Sequence, residues 1–179
     1  KGYVAKVDTA TLQIVNTCIV GYQPDELEII GGKIYVANSG GYMGASSTSG
    51  YERTVSVIDL NTFTEEKRID VDYNLHRIRA DKRGDLWVTS RGDYKTLPSR
   101  LYFLDRAKQQ VTDTVKIPVS EFCIVGDSIY AYSVSWSYIT YTNEISYAIV
   151  NTKTHEIVSR NFITDGTDKQ IEIPYGIMV

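Results

Sequence analysis

The 179 residues carry 19 Lys and Arg against 22 Asp and Glu, a formal net charge of −3 and a pI near 5.4, which leaves no basic footprint for nucleic acid. With 42% hydrophobic and 23% charged residues the composition is that of an ordinary folded domain, long enough to bury a core. No apolar run approaches the roughly 18–20 residues of a membrane-spanning helix.

Alternation at period two dominates, in runs rich in Val, Ile, Thr and Tyr bounded by Gly, Asp and Asn, so the elements read as short strands. In chain order, residues 3–8 and 12–20 form the first pair, joined by a turn at Thr9-Ala10-Thr11. A strand at 25–30 turns through Gly31-Gly32 into 33–39, and a long connection at 40–53 leads to 54–59 and, past Leu60-Asn61-Thr62, to 63–71. The same order repeats as 76–81, 85–91, 100–105 and 109–118, with a connection at 92–99. It repeats again as 121–125, 128–134, 145–151 and 155–163, with a connection at 135–144, and one more strand is expected at 175–179.

Two anchors keep step through these copies. Val7-Asp8, Ile58-Asp59, Leu104-Asp105 and Val150-Asn151 each close a strand before a short turn. Ile34-Tyr35-Val36-Ala37-Asn38, Leu86-Trp87-Val88-Thr89-Ser90 and Ile129-Tyr130-Ala131-Tyr132-Ser133 form the second set. A repeat of about 46 to 51 residues built from four short strands is the pattern of an all-β fold, a β-propeller of four-stranded antiparallel blades. Blades are expected at about 25–71, 76–118 and 121–163, with partial blades at 1–20 and 175–179. Because the sequence opens in a third strand and stops inside a first one, it reads as a section of a longer propeller, about four blades' worth of strands.

Naming the strands A (innermost) to D, the A–B and C–D links are tight and the B–C links long. In an up-and-down blade the B–C loops share one face, where binding residues held by a rigid scaffold are expected. That face offers Tyr42 and Tyr51, Arg91 and Tyr94, then Trp136, Tyr138 and Tyr141. Flat rings with a polar tip suit a large amphipathic ligand, and they equally suit capping of the blades by packing on one another. A second set lies where the A strands begin, at the mouth of the central channel. Aligning the blades puts Asp25, His76, Ser120 and Tyr175 at one position and Glu26, Arg77, Glu121 and Gly176 at the next. Such a ring could hold a polar ligand, or could simply pair charges between blades, Arg77 with Glu26 or Glu121.

The chemistry-bearing motifs are sparse. There is no Gly-x-Ser-x-Gly elbow, Walker loop, CxxC pair or HExxH. His155, at an outer-strand start, reads as solvated, and Asp165-Gly166-Thr167-Asp168 lacks the spacing of a calcium loop. Cys18 on an outer strand and Cys123 on an inner one are expected as free, buried thiols. No metal or other cofactor is called for, the expected state is a monomer, and the expectation is a binding protein that is not an enzyme. A metal-assisted lyase or hydrolase using Asp25, Glu26, His76 and Glu121 is the catalytic alternative.

Pro174-Tyr175-Gly176-Ile177, Ile34-Tyr35-Val36-Ala37-Asn38-Ser39-Gly40 and Thr54-Val55-Ser56-Val57-Ile58-Asp59 resemble the blade motifs of the YncE-like propellers. Glu121-Phe122-Cys123 and Asn151 depart from that pattern. The tyrosine-rich connections look closest to the surface-layer-type propellers of Bacteroidetes, some of which are lipoproteins that capture cobalamin for a TonB-dependent transporter. The resemblance implies seven blades in all, a place on the outer face of the outer membrane or in the periplasm, a corrinoid or other nutrient as ligand, and such a transporter as partner. A protein-docking platform at the cell surface is the other reading of the same loops.

Overall fold

The computed structural model describes residues 1–40, 52–94, 96–163 and 173–178, and every regular element among them is a β-strand. β1 (Tyr3–Val7) and β2 (Ile14–Ile19) form a two-stranded antiparallel sheet. Three four-stranded antiparallel sheets follow, each in plain sequence order. The first is β3 (Pro24–Ile30), β4 (Lys33–Asn38), β5 (Thr54–Asp59) and β6 (Glu65–Asp70). The second is β7 (Leu75–Ala80), β8 (Leu86–Ser90), β9 (Arg100–Asp105) and β10 (Gln110–Val115). The third is β11 (Glu121–Val125), β12 (Ser128–Ser137), β13 (Thr142–Asn151) and β14 (Ile157–Ser159).

Period-two alternation is what stacks these sheets. Tyr35, Ala37, Val55, Val57 and Ile69 meet Leu75, Ile78, Leu86, Val88, Tyr102 and Leu104 in one buried layer. Their neighbours one step out of phase, Ile34, Val36 and Ile58, turn the other way onto Val4, Cys18 and Val20. Trp87, Leu101 and Phe103 likewise face Phe122, Ile129, Ala131, Ala148 and Val150. A sheet buried on both faces, each such side chain worth roughly 1.5–3 kcal/mol of burial, cannot stand alone. The inner strands β3, β7 and β11 lie side by side, so the sheets are blades arranged about a common axis. The fold is a β-propeller.

The repeating Asp is a turn cap. Asp8 Oδ1 accepts from the N–H groups of Ala10 (2.9 Å) and Thr11 (2.8 Å), and Asp59 Oδ1 from those of Asn61 and Thr62 (both 2.9 Å). Asp105 Oδ1 accepts from Lys108 N–H (2.9 Å), and Asn151 Oδ1 from those of Lys153 (2.8 Å) and Thr154 (3.2 Å). Four residues after each cap the chain enters the left-handed region, at Leu12 (φ 58°), Phe63 (57°), Gln109 (51°) and His155 (60°). The carboxylate thus satisfies the turn's N–H groups, while a non-glycine residue carries the strain that closes the hairpin. The Thr11 and Thr62 N–H groups, the second aided by Lys33, hold the Asp8 and Asp59 carboxyls below the usual range. The Lys108 side chain, then its N–H, does the same for Asp105.

Several expected elements differ. Residues 135–144 are not a loop: β12 and β13 run ten residues each, in register from Ser128↔Asn151 to Ser137↔Thr142. The last outer strand shrinks from 155–163 to Ile157–Ser159. Residues 173–178 pair with nothing as a strand, so the expected element at 175–179 is absent among the described residues. Cys18 is buried as expected, whereas Cys123 is only half-buried; neither is bridged.

Candidate functional site

Strand direction decides which residues share a face. The starts of β3, β7 and β11 and the ends of β4, β8 and β12 come together, opposite the Asp-capped turns. On this face His76, 5% exposed, occupies the second position of β7. Its Nδ1 lies 3.1 Å from Asp25 Oδ2 at the start of β3. Its Nε2 lies 3.1 Å from the Ser120 carbonyl oxygen and 3.1 Å from Arg91 Nη2, and Arg91 Nη1 stands 3.5 Å from Asp25 Oδ2. Burial pushes the Asp25 carboxyl up, but the hydrogen bond and charge of His76, with Arg91 and Arg77, outweigh it and hold the group below its ordinary value.

Deeper along the inner edge the charges pair between blades. Arg77 Nε donates to Glu121 Oε2 (2.7 Å) and Arg77 Nη1 stands 3.9 Å from Glu26 Oε1, the interblade pairing read from the repeat. Arg79 adds a donor to Glu121 Oε1 (3.0 Å) and another to the Phe122 carbonyl (3.0 Å). Glu26 and Glu28 accept from the β7 N–H groups of Ile78 (2.8 Å) and Ala80 (3.1 Å). These side chains satisfy the free edge that an inner strand presents. Arg79 and Glu28 were not among the expected residues. Both were within reach of the repeat, since carrying its alignment two residues beyond Glu26 and Arg77 brings in Glu28 and Arg79.

The aromatic set is built differently. Trp136 is the penultimate residue of β12, and Tyr138 and Tyr141 lie in the turn that closes the β12–β13 hairpin. Ser137 takes the part that Asp plays elsewhere: its Oγ accepts from Thr140 N–H (3.3 Å) and its carbonyl from Tyr141 N–H (2.8 Å). Tyr141 is left-handed (φ 56°), as Phe63 is in the capped turn at Asp59. Tyr138 is 80% and Ile139 92% exposed, and Trp136 and Tyr141 are exposed as well. None of these rings packs on another aromatic ring among the described residues, so mutual capping is not what holds them.

Tyr94 is exposed on the 92–99 connection with φ 59°. That connection is shaped by Asp93, whose Oδ1 accepts from Thr96 and Leu97 N–H (both 2.7 Å). It also needs Gly92, where a Cβ would lie 1.9 Å from the Leu97 carbonyl oxygen. Tyr42, Tyr51 and the 165–168 segment lie outside the described residues. Tyr175 is 95% exposed on an unpaired segment and does not join the channel mouth, a correction that follows from the missing strand. His155 is also corrected: it is not solvated but packs on Phe103 (4.2 Å) and Trp87 (5.1 Å), with Nδ1 2.7 Å from Asp113, all three on the preceding blade. Among the described residues no group of three or more His, Cys, Asp or Glu is placed to hold a metal ion.

A propeller presenting an interblade charge cluster and an aromatic hairpin on one face is therefore the class this chain defines. No family model matches the sequence, and no curated protein is significantly similar to it. Among solved structures it is similar to Kuenenia stuttgartiensis hydrazine synthase, with a TM-score of 0.70 and 19% identity over 90% of this chain and 43% of that one. It is also similar to dihydro-heme d1 dehydrogenase NirN in complex with DHE, with a TM-score of 0.62 and 12% identity over 86% of this chain and 32% of that one. The chain thus spans less than half the length of either neighbour. These likenesses concern the fold alone. They do overturn the expectation that such a propeller is not an enzyme: both neighbours are enzymes, so the architecture supplies no ground for excluding catalysis, and equally none for assigning it.

Proposed function

We propose that the face carrying Arg91, Tyr94, Trp136, Tyr138 and Tyr141 captures a large amphipathic ligand, a nutrient of the corrinoid class being the first to test. The observation behind this reading is the β12–β13 hairpin, which extends beyond the start of β11 and presents exposed rings on the same face as the charged channel mouth. Rigid aromatic side chains on a strand-borne platform give contact area at modest entropic cost. The YncE-like blade motifs, and within them the likeness to cobalamin-capturing surface propellers, supply the ligand class. They also supply the proposed setting, a Gram-negative cell surface or periplasm, and a TonB-dependent transporter as the receiving partner.

Isothermal titration of the chain with cobalamin tests it. Binding heat is expected, with affinity falling at least about tenfold in Trp136→Ala or Tyr138→Ala, the loss of one good ring contact. Absence of heat and of any thermal shift with all corrinoids would remove that ligand class.

A second reading has its own observation, the exposed Ile139 at the very tip of the hairpin. If the tip docks a protein such as the transporter, Ile139→Asp weakens a pull-down with it and leaves small-molecule binding unchanged.

A further inference from the structure

His76 Nε2 has two neighbours at the same distance that make opposite demands. The Ser120 carbonyl, 3.1 Å away, can only accept a hydrogen bond, whereas Arg91 Nη2, also 3.1 Å away, can only donate one. With Nδ1–H directed at the Asp25 carboxylate, a neutral ring offers its Nε2 lone pair to Arg91 and nothing to Ser120. A protonated ring donates to Ser120 and faces the Arg91 guanidinium as a like charge. The two arrangements exclude each other, and which one holds depends on a single proton.

The charged surroundings set the direction of the coupling. Against the ring stand Asp25 from β3 and Arg91 from the segment after β8, and Arg77, next along β7, stands 3.9 Å from Asp25 Oδ1. Arg77 is engaged by Glu121 of β11 at 2.7 Å and stands 3.9 Å from Glu26. Arg79 is likewise tied to Glu121 and Glu26. Arg91 differs: its guanidinium meets the His76 ring nitrogen and approaches the Asp25 carboxylate only to 3.5 Å. It is the guanidinium of this cluster held most loosely by carboxylates.

We propose that Arg91 is the anion-binding element of the capture face and that His76 is its proton-operated latch, so that an oxyanion (carboxylate, phosphate or sulfate) binds as His76 takes up a proton. This rests on the ligand-capture reading and names the ligand group recognised at its charged end. Neutral His76 holds Arg91 against the mouth. Protonation turns Nε2 to Ser120, repels the guanidinium and leaves it for an anion, whose charge then offsets the proton gained. Linkage makes the effect reciprocal: the anion raises proton affinity at His76, and anion affinity falls as pH rises and the ring loses its proton.

Sulfate is a suitable probe because it stays a dianion from pH 5.5 to pH 8. The His76 Cε1–H resonance is followed by NMR against pH, with and without sulfate at constant ionic strength, and His155 serves as an internal reference. The expected result is an upward shift of the His76 midpoint by sulfate, no shift at His155, and loss of the effect in Arg91→Gln. By titration calorimetry sulfate should bind about tenfold more tightly at pH 5.5 than at pH 8, and His76→Gln should flatten that dependence. A His76 midpoint indifferent to sulfate, or one that moves equally in Arg91→Gln, overturns the proposal. A Tyr138→Ala, Tyr141→Ala double variant separates this from the capture reading. It should keep the sulfate effect while losing the large ligand, so either idea can fail alone.

Discussion

The two faces of this propeller are made from the same blades by opposite rules. On the turn face one device recurs: an Asp or Asn caps the N–H groups of a tight turn, and a left-handed residue follows four positions later. On the mouth face the described connections differ. One blade carries the Gly92–Leu97 connection, another the long hairpin of the ten-residue strands β12 and β13. Uniform chemistry is enough to close hairpins, because every blade must solve the same geometric problem. The proposed binding surface draws on the differences between blades, which sit where the scaffold leaves length free.

The layer beneath both faces gives the largest effect. Trp87 is fully buried between two blades, against Phe103 and His155, with its indole N–H 3.3 Å from Asp81. Trp87→Ala should cost about 3–5 kcal/mol in urea unfolding and impair both faces together. A loss confined to one face would mean that the blades respond independently.

Next in size is an acid effect rooted on the turn face. Burial pushes the Asp81 carboxyl up, but hydrogen bonds from the Arg83 side chain and N–H and from Trp87 outweigh it, leaving the group below its ordinary 3.8. A carboxyl depressed by folding stabilises the protein above its unfolded value and loses that contribution as pH falls through the folded one. Urea midpoints should therefore drop below about pH 4. Asp81→Asn should lower stability at pH 7 and flatten that acid limb, and an unchanged limb would assign acid sensitivity elsewhere.

Removing a cap compares the faces directly. Asn151→Ala and Ser137→Ala each delete the side-chain acceptor of an equivalent turn, and each should cost about 1 kcal/mol. Only Ser137→Ala should also weaken capture by the hairpin.

The smallest effect is the sharpest comparison. Leu12 (φ 58°) and Tyr141 (φ 56°) are exposed residues at matching left-handed positions on opposite faces. Glycine at either site should relieve strain and change stability by no more than about 1 kcal/mol. Leu12→Gly should leave ligand binding untouched and Tyr141→Gly should reduce it. Equal effects on binding would dissolve the distinction between the faces.

The strands, blade order and division into two faces were legible in the sequence because period two and the Asp anchors are local signals. The pairing of Arg77 with Glu121 was legible because the repeat aligns them. What escaped depended on tertiary distance or on turn chemistry outside the repeat. Ser137 closes a hairpin as Asp59 does, but a serine before Tyr-Ile-Thr-Tyr does not announce a cap, so 135–144 read as a loop. Arg91 belonged by position to the long connections, and only the folded chain brings it to His76. His155 looked solvated because its partners, Trp87 and Phe103, come from another blade.

The inner edges described above differ in polarity, and that difference acts as an address. β3 lends carboxylates to the N–H groups of β7, whereas β7 lends a guanidinium to a carbonyl of β11. Transposing two blades would aim acceptors at acceptors. Blades that share one repeat are thereby not interchangeable, and the order in which they follow one another is written into the side chains each offers its successor.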